Sequence, residues 1–179
     1  MSAGNPDLRR QVEENRGPLK KLQLLIPGLN SYRRSEDIRV ADELLRNQVA
    51  DKLDLSRENL EGLRKQMANA GDFTNLSSVG SLIFQIQQFS GEVRHAQQGY
   101  SGLAASISID EAKLNSLYEY DYEFVSSSIS VLGSTSALVY DPSSPGNILA
   151  ALSTISHNLS DLKRKWSIRM EAVSNIQLK

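Results

Sequence analysis

The sequence predicts an all-α protein: an elongated bundle of four long helices preceded by a shorter, kinked N-terminal one. Apolar residues recur at steps of three and four along most of the chain. Prolines stand only at positions 6, 18, 27, 142 and 145, so the interval from Leu29 to Tyr140 holds none to break a helix. Capping residues, glycines and an Asp/Pro/Ser cluster mark the boundaries. Together these place 1–179 in one domain, with loops near 27–34, 70–73, 107–110 and 140–147.

The first helix opens at Asn5-Pro6-Asp7, where a capping side chain, a proline at the first helical position and an acid meet the positive end of the dipole. Leu8, Val12, Leu19, Leu22 and Leu25/Ile26 follow at helical spacing. Gly17-Pro18 should kink or split it, and Ile26-Pro27-Gly28 should end it. Ser35-Glu36-Asp37 then opens a long second helix whose core face runs through Ile38, Ala41, Leu45, Val49, Leu53, Leu60, Leu63 and Met67. Pairs four apart, Asp42 with Arg46 and Glu61 with Lys65, should lace its outer faces, each contributing about 0.2–0.5 kcal/mol. Ala70-Gly71-Asp72 supplies a stop and a new cap.

The third segment has the clearest period. Val79, Ile86, Val93, Tyr100 and Ile107 sit seven apart, beside a parallel row of Leu82, Phe89, Ala96 and Leu103. This coiled-coil-like spacing is widened by Leu76 and Ile83, as expected of a helix that touches two neighbours. Gly80, Gly91, Gly99 and Gly102 each weaken a helix by up to about 1 kcal/mol relative to alanine, and several are candidates for close helix approach. The fourth helix starts at Ile109-Asp110-Glu111. Tyr118 to Val125 alternates with period two, as a strand would, yet no second segment offers a strand partner, so helix is the reading. Tyr118, Tyr120 and Tyr122 cannot all face one core, so at least one should be exposed. After the loop Tyr140–Gly146, a last helix of about 30 residues carries Ile148/Leu149, Leu152, Ile155, Leu159, Leu162, Trp166, Met170, Val173 and Ile176.

Composition closes off several chemistries. There is no cysteine, so thiolate nucleophiles, iron–sulfur clusters, cysteine-ligated zinc and disulfides are excluded. Only two histidines occur, His95 and His157, each better read as structural or solvent-facing than as catalytic or metal-ligating. The spacing Glu92/His95 suits a carboxylate di-iron site, but the second copy is missing. Phosphate-binding glycine loops and dinucleotide fingerprints are absent, so no cofactor or metal is expected. A net charge of −1 and a pI near 6.1 disfavour nucleic acid as a partner. The polar N-terminus lacks the apolar run of a secretory signal, and apolar runs fall short of the roughly 20 residues needed to span a bilayer. The expected location is cytoplasmic.

One polar residue conflicts with the apolar stripes. Asp121 lies between Leu117 and Phe124/Val125, so a helix must bury it, and a buried acid needs an arginine or hydrogen-bond partner. Arg39 and Arg46, flanking Asp42 on the second helix, are the candidates. The basic run Lys163–Arg169 should point outward or toward the acidic fourth helix while Trp166 packs inward.

The segment Leu25–Arg46, with its Ile-Pro-Gly turn, Tyr32 and the spacing Arg39-x-x-Asp42-x-x-x-Arg46, together with Leu117–Asp121, resembles a pattern found in uncharacterised helical prokaryotic proteins. The resemblance covers about 25 residues plus the Tyr-Asp segment and implies no activity. It implies that Pro27, Gly28, Tyr32, Arg39, Asp42, Arg46 and Asp121 form one structural or interaction cluster.

The functional expectation is a non-enzymatic interaction or scaffold protein that buries a leftover apolar helix face against a protein partner or a second copy. An alternative is a small enzyme or ligand-binding bundle using Asp121 with Arg39 and Arg46. It requires those side chains to converge on a solvent-reachable pocket. A third reading is peripheral association of the first or last helix with a membrane surface.

Overall fold

In the computed structural model, which describes residues 17–29, 35–96 and 111–177, five helices and no strand occur among the described residues. They are α1 (Pro18–Leu25), α2 (Ser35–Asn69), α3 (Leu76–His95), α4 (Glu111–Ser136) and α5 (Pro145–Gln177). The fold class is the one read from the sequence: four long helices and a short one before them.

Pro18 sits at the first position of α1, where its missing N–H costs nothing and its fixed φ suits the helix. The amides of Lys20 and Lys21 both reach the Gly17 carbonyl, at 2.9 and 3.2 Å. The part of the expected first helix from Asn5 to Arg16 lies outside the described residues. Leu22, Ile26 and Leu29 are buried where α1 packs on α4. The chain then turns through Gly28 at φ +85°, a conformation natural to glycine.

α2 ends in a Schellman turn. The Asp72 amide donates to the Met67 carbonyl at 3.0 Å and the Gly71 amide to the Ala68 carbonyl at 3.1 Å, with Gly71 at φ +73°. This turn reverses the chain into α3, so α2 and α3 form an antiparallel hairpin; the loop 137–144 does the same for α4 and α5. The hairpins meet with α2 beside α4 and α3 beside α5. Asn59 donates to Thr135 and Ser136 at one level, while Asp42 and Asp121 share a partner at another, so α2 and α4 run parallel. Likewise Trp166 of α5 lies level with Glu92 of α3. We call the end carrying the two hairpin turns the upper end; there Tyr140 donates to Asp72 at 3.3 Å, and burial plus the neighbouring carboxylate raise the phenol above its ordinary pKa.

The core is one apolar column. Each long helix contributes residues at steps of three and four, among them Leu45, Val49, Leu53 and Leu60 from α2 and Leu152, Ile155, Leu159 and Leu162 from α5. Phe124 and Trp166 pack within it at a tilt of 31°, ring centroids 5.1 Å apart. The tyrosine-rich stretch is helical, with Leu117, Tyr118, Asp121, Phe124, Val125 and Ser128 turned inward. Tyr120 and Tyr122 are half-buried, so none of the three is exposed outright. The serine-rich end of α4 stays helical partly because its hydroxyls bond back to the preceding turn, Ser130 to the Ser126 carbonyl and Ser134 to that of Ser130.

Three sequence expectations need correction. α3 stops at His95, and Ala96 is extended (φ −54°, ψ 134°), so the helix does not run on to Ile107; positions 97–110 lie outside the described residues. Glu61 pairs with Arg57, one turn before it, instead of with Lys65. Gly80 and Gly91 do not serve close helix approach, because a Cβ at either would meet nothing within 4 Å. Gly99 and Gly102 lie outside the described residues.

Candidate functional site: a buried charge lattice and an open seam

At the lower end of the core, four Asp and Arg side chains from three helices are buried, and two of them, Asp121 and Arg169, occupy positions that the periodicity reserves for apolar residues. Arg169 of α5 is 1% exposed, and its Nε donates to Asp121 Oδ1 of α4 at 2.6 Å. Its Nη2 donates to Asp42 Oδ1 of α2, also at 2.6 Å. The other oxygen of Asp42 accepts from Arg46 Nε at 2.9 Å. Arg46 then turns its Nη1 to the end of α3, where the carbonyls of Val93, Arg94 and Ala96 lie 3.1–3.3 Å away. The sequence Asp121–Arg169–Asp42–Arg46–α3 therefore joins all four long helices.

Each link has a physical reason. The fixed fork of guanidinium N–H groups lets one arginine hold two carboxylates at once. Arg169 also lies over the Trp166 ring, its Cζ 5.6 Å from the centroid, which shields it from water. Arg46 caps the carbonyls that the last turn of α3 leaves without intrahelical donors and places a cation at the negative end of the helix dipole. The helix stops where that cation gathers its carbonyls.

The sequence-derived candidates divide accordingly. Asp42, Arg46 and Asp121 are brought together, as the placement of Asp121 against α2 required. Asp121, however, is bonded to Arg169, with Asp42 as the bridge to Arg46. Arg39 is half-buried one turn before Asp42 and is itself engaged. Pro27 and Gly28 are exposed in the turn after α1, and Tyr32 lies outside the described residues. Arg169 was missed as a site residue, although its signal was present. From Leu159, Leu162 and Trp166 the stripe advances by three to Arg169 before it reaches Val173.

Two more exposed clusters lie outside the lattice, one between α2 and α3 and one between α4 and α5. Arg94 of α3 bridges Asp51 and Asp54 of α2 at 2.9 and 2.8 Å, and these carboxylates raise its pKa further. Asp161 of α5 is held below the ordinary carboxylate pKa, first by its bond from Arg164 and then by Lys165, which also reaches Ser127 of α4 at 2.8 Å. Lys52 is lowered by partial burial. His95 and His157 are exposed, and among the described residues no group of three or more His, Asp or Glu side chains is arranged to hold a metal.

Where α3 meets α5 the packing is sparser than at the other seams between the long helices. Above the Glu92–Trp166 bond the two helices leave an open groove of about 450 Å³. Buried Leu82 and Leu152 form its floor, and Ser78, Ser81, Gln85, Leu149, Ser153 and Ser156 line it further out. Leu149 is 57% exposed there. No helix among the described residues is long and apolar enough to cross a membrane. The chain matches no known family model, no curated protein and no solved structure.

Proposed function

We propose that the protein is a non-enzymatic helical interaction protein, and that it acts by burying the α3/α5 seam against another polypeptide. The carrying observation is the contrast between its two notable regions. The charge lattice is sealed, with Asp42, Arg46, Asp121 and Arg169 each at most 5% exposed and bonded to one another, so a substrate finds no route to them. The seam is open, and apolar grooves between helices are where an amphipathic helix of a partner can dock. Charged side chains consumed by mutual pairing do the work of alignment, whereas catalysis requires groups that reach a reacting atom.

A photo-crosslinking residue placed at Leu149 of the full chain, expressed in the organism that makes it, tests this reading. The expected result is a protein adduct at Leu149 well above that from the same probe at Leu55, a half-exposed leucine on α2. Equal or absent adducts at the two positions would overturn it.

A further inference from the structure

Resting on that reading, we infer that the occupant of the α3/α5 seam is a second copy of this chain, docked in parallel about a two-fold axis that runs along the seam. The first observation is the distribution of charge. No Lys, Arg, Asp or Glu occurs from Phe73 to Gly91, nor from Pro142 to Ser160, although 41 such residues occur in the chain. Most protein surfaces mix both signs densely, and a charge-free face is one that can be covered without desolvating ions. A charge-free face also gives no electrostatic attraction to an anionic lipid surface, which needs Lys or Arg.

Size is the second observation. These two stretches hold 27 exposed or half-buried residues; some turn to neighbouring helices, as Asn158 does to Ser134 of α4, and the rest leave room for a contact up to the roughly 20–30 residues a side of a standard interface.

The third observation fixes the orientation. Charge returns to this face at the lower end, with exposed Glu92 on α3, exposed Arg164 on α5, which also bonds Asp161 of its own helix, and half-buried Lys163 over the Phe89 ring of α3. Glu92 and Arg164 stand at one level, because Glu92 accepts from Trp166, two residues after Arg164. A two-fold axis along the seam sets α3 of one copy against α5 of the other with heights preserved. Glu92 of each copy then faces Arg164 of the other, giving two reciprocal ion pairs below a neutral serine-lined contact. An antiparallel dimer would instead place Glu92 and Arg164 at the opposite copy's upper end, near Asp72.

Sedimentation equilibrium of the full chain tests this. Wild type should be a dimer at tens of micromolar. Arg164→Glu and Glu92→Lys should each weaken association by at least about tenfold, as expected for two close pairs turned repulsive. The double charge swap should restore affinity to within about threefold of wild type. Ser81→Glu, which puts a carboxylate on the groove rim, should give a monomer, and circular dichroism should show native helicity in every variant. A wild type that stays monomeric at 200 µM overturns the inference, as does a dimer indifferent to these changes or a swap that fails to rescue. In any of those cases, an adduct at Leu149 with a different protein would leave the broader reading standing.

Discussion

Replacing Arg169 by methionine removes the guanidinium that sits between two buried carboxylates while nearly preserving side-chain length. Arg169 makes two charge-assisted bonds of 2.6 Å, and bonds to charged groups contribute about 1.5–3 kcal/mol each, or about 3–6 kcal/mol together. Loss of one member of a buried ion pair costs about 3–5 kcal/mol by comparison with other proteins, so about 4 kcal/mol is the expected destabilisation. For a chain of this size that corresponds to a fall in Tm of about 8–16 °C. Urea unfolding at pH 7, followed by circular dichroism at 222 nm, measures it. The companion variant Asp121→Leu/Arg169→Met also removes one of the two carboxylates that Arg169 bridges. It should lose less than the sum of the losses of the two single variants, because the two effects are coupled and not additive. A loss below about 1 kcal/mol for Arg169→Met, or additive losses in the double variant, would refute the argument that this lattice holds the lower core together.

Arg46→Lys should not rescue Arg46→Ala, since an ammonium cannot serve both Asp42 and three α3 carbonyls; in both, hydrogen exchange should show the last turn of α3 fraying first. Gly80→Ala and Gly91→Ala should each raise stability by about 0.5–1 kcal/mol in urea, because the added methyl meets open space and alanine favours the helix. Gly71→Ala should lower it by about 1 kcal/mol, although it too meets no neighbour, because φ of +73° strains any Cβ-bearing residue. Asp161→Asn should cost only about 0.2–1 kcal/mol at pH 7, the range of a partly exposed pair. Since the folded-state pKa of Asp161 is depressed, its contribution is present above the ordinary carboxylate value and lost as pH falls through the folded one. The Tm gap between wild type and Asp161→Asn should therefore close in acid.

The helices were legible because their apolar spacing is set by local geometry. Val79, Leu82, Ile86, Phe89 and Val93 are buried as their period demands. Asp121 was legible as a misfit for the same reason: a carboxylate inside a stripe must find a partner. Its partner was harder to find. Arg169 lies at the end of a basic run whose neighbours Arg164 and Ser167 face water, and the step of four to Met170 offered an apolar alternative. The position of α5 in the bundle, from which Arg169 reaches Asp121 of α4 and Asp42 of α2, decides between them, and that position is tertiary. The same holds for the end of α3. The heptad row continues past Ala96 in sequence, but Arg46, 47–50 residues earlier, captures the terminal carbonyls. The stripe through Ala41, Leu45 and Val49 leaves Asp42 and Arg46 outside it, which is why they read as an outer-face pair. α2 packs against both α3 and α4, and the wider buried face takes them in.

The claim that a sealed charge lattice aligns the four helices is tested most directly by side-chain NMR of the arginine Nε–Hε groups. If Arg46 and Arg169 are bonded as described, their Hε signals should persist at pH 8 and exchange with water far more slowly than that of exposed Arg64. Exchange as fast as that of Arg64 at both positions would contradict the account.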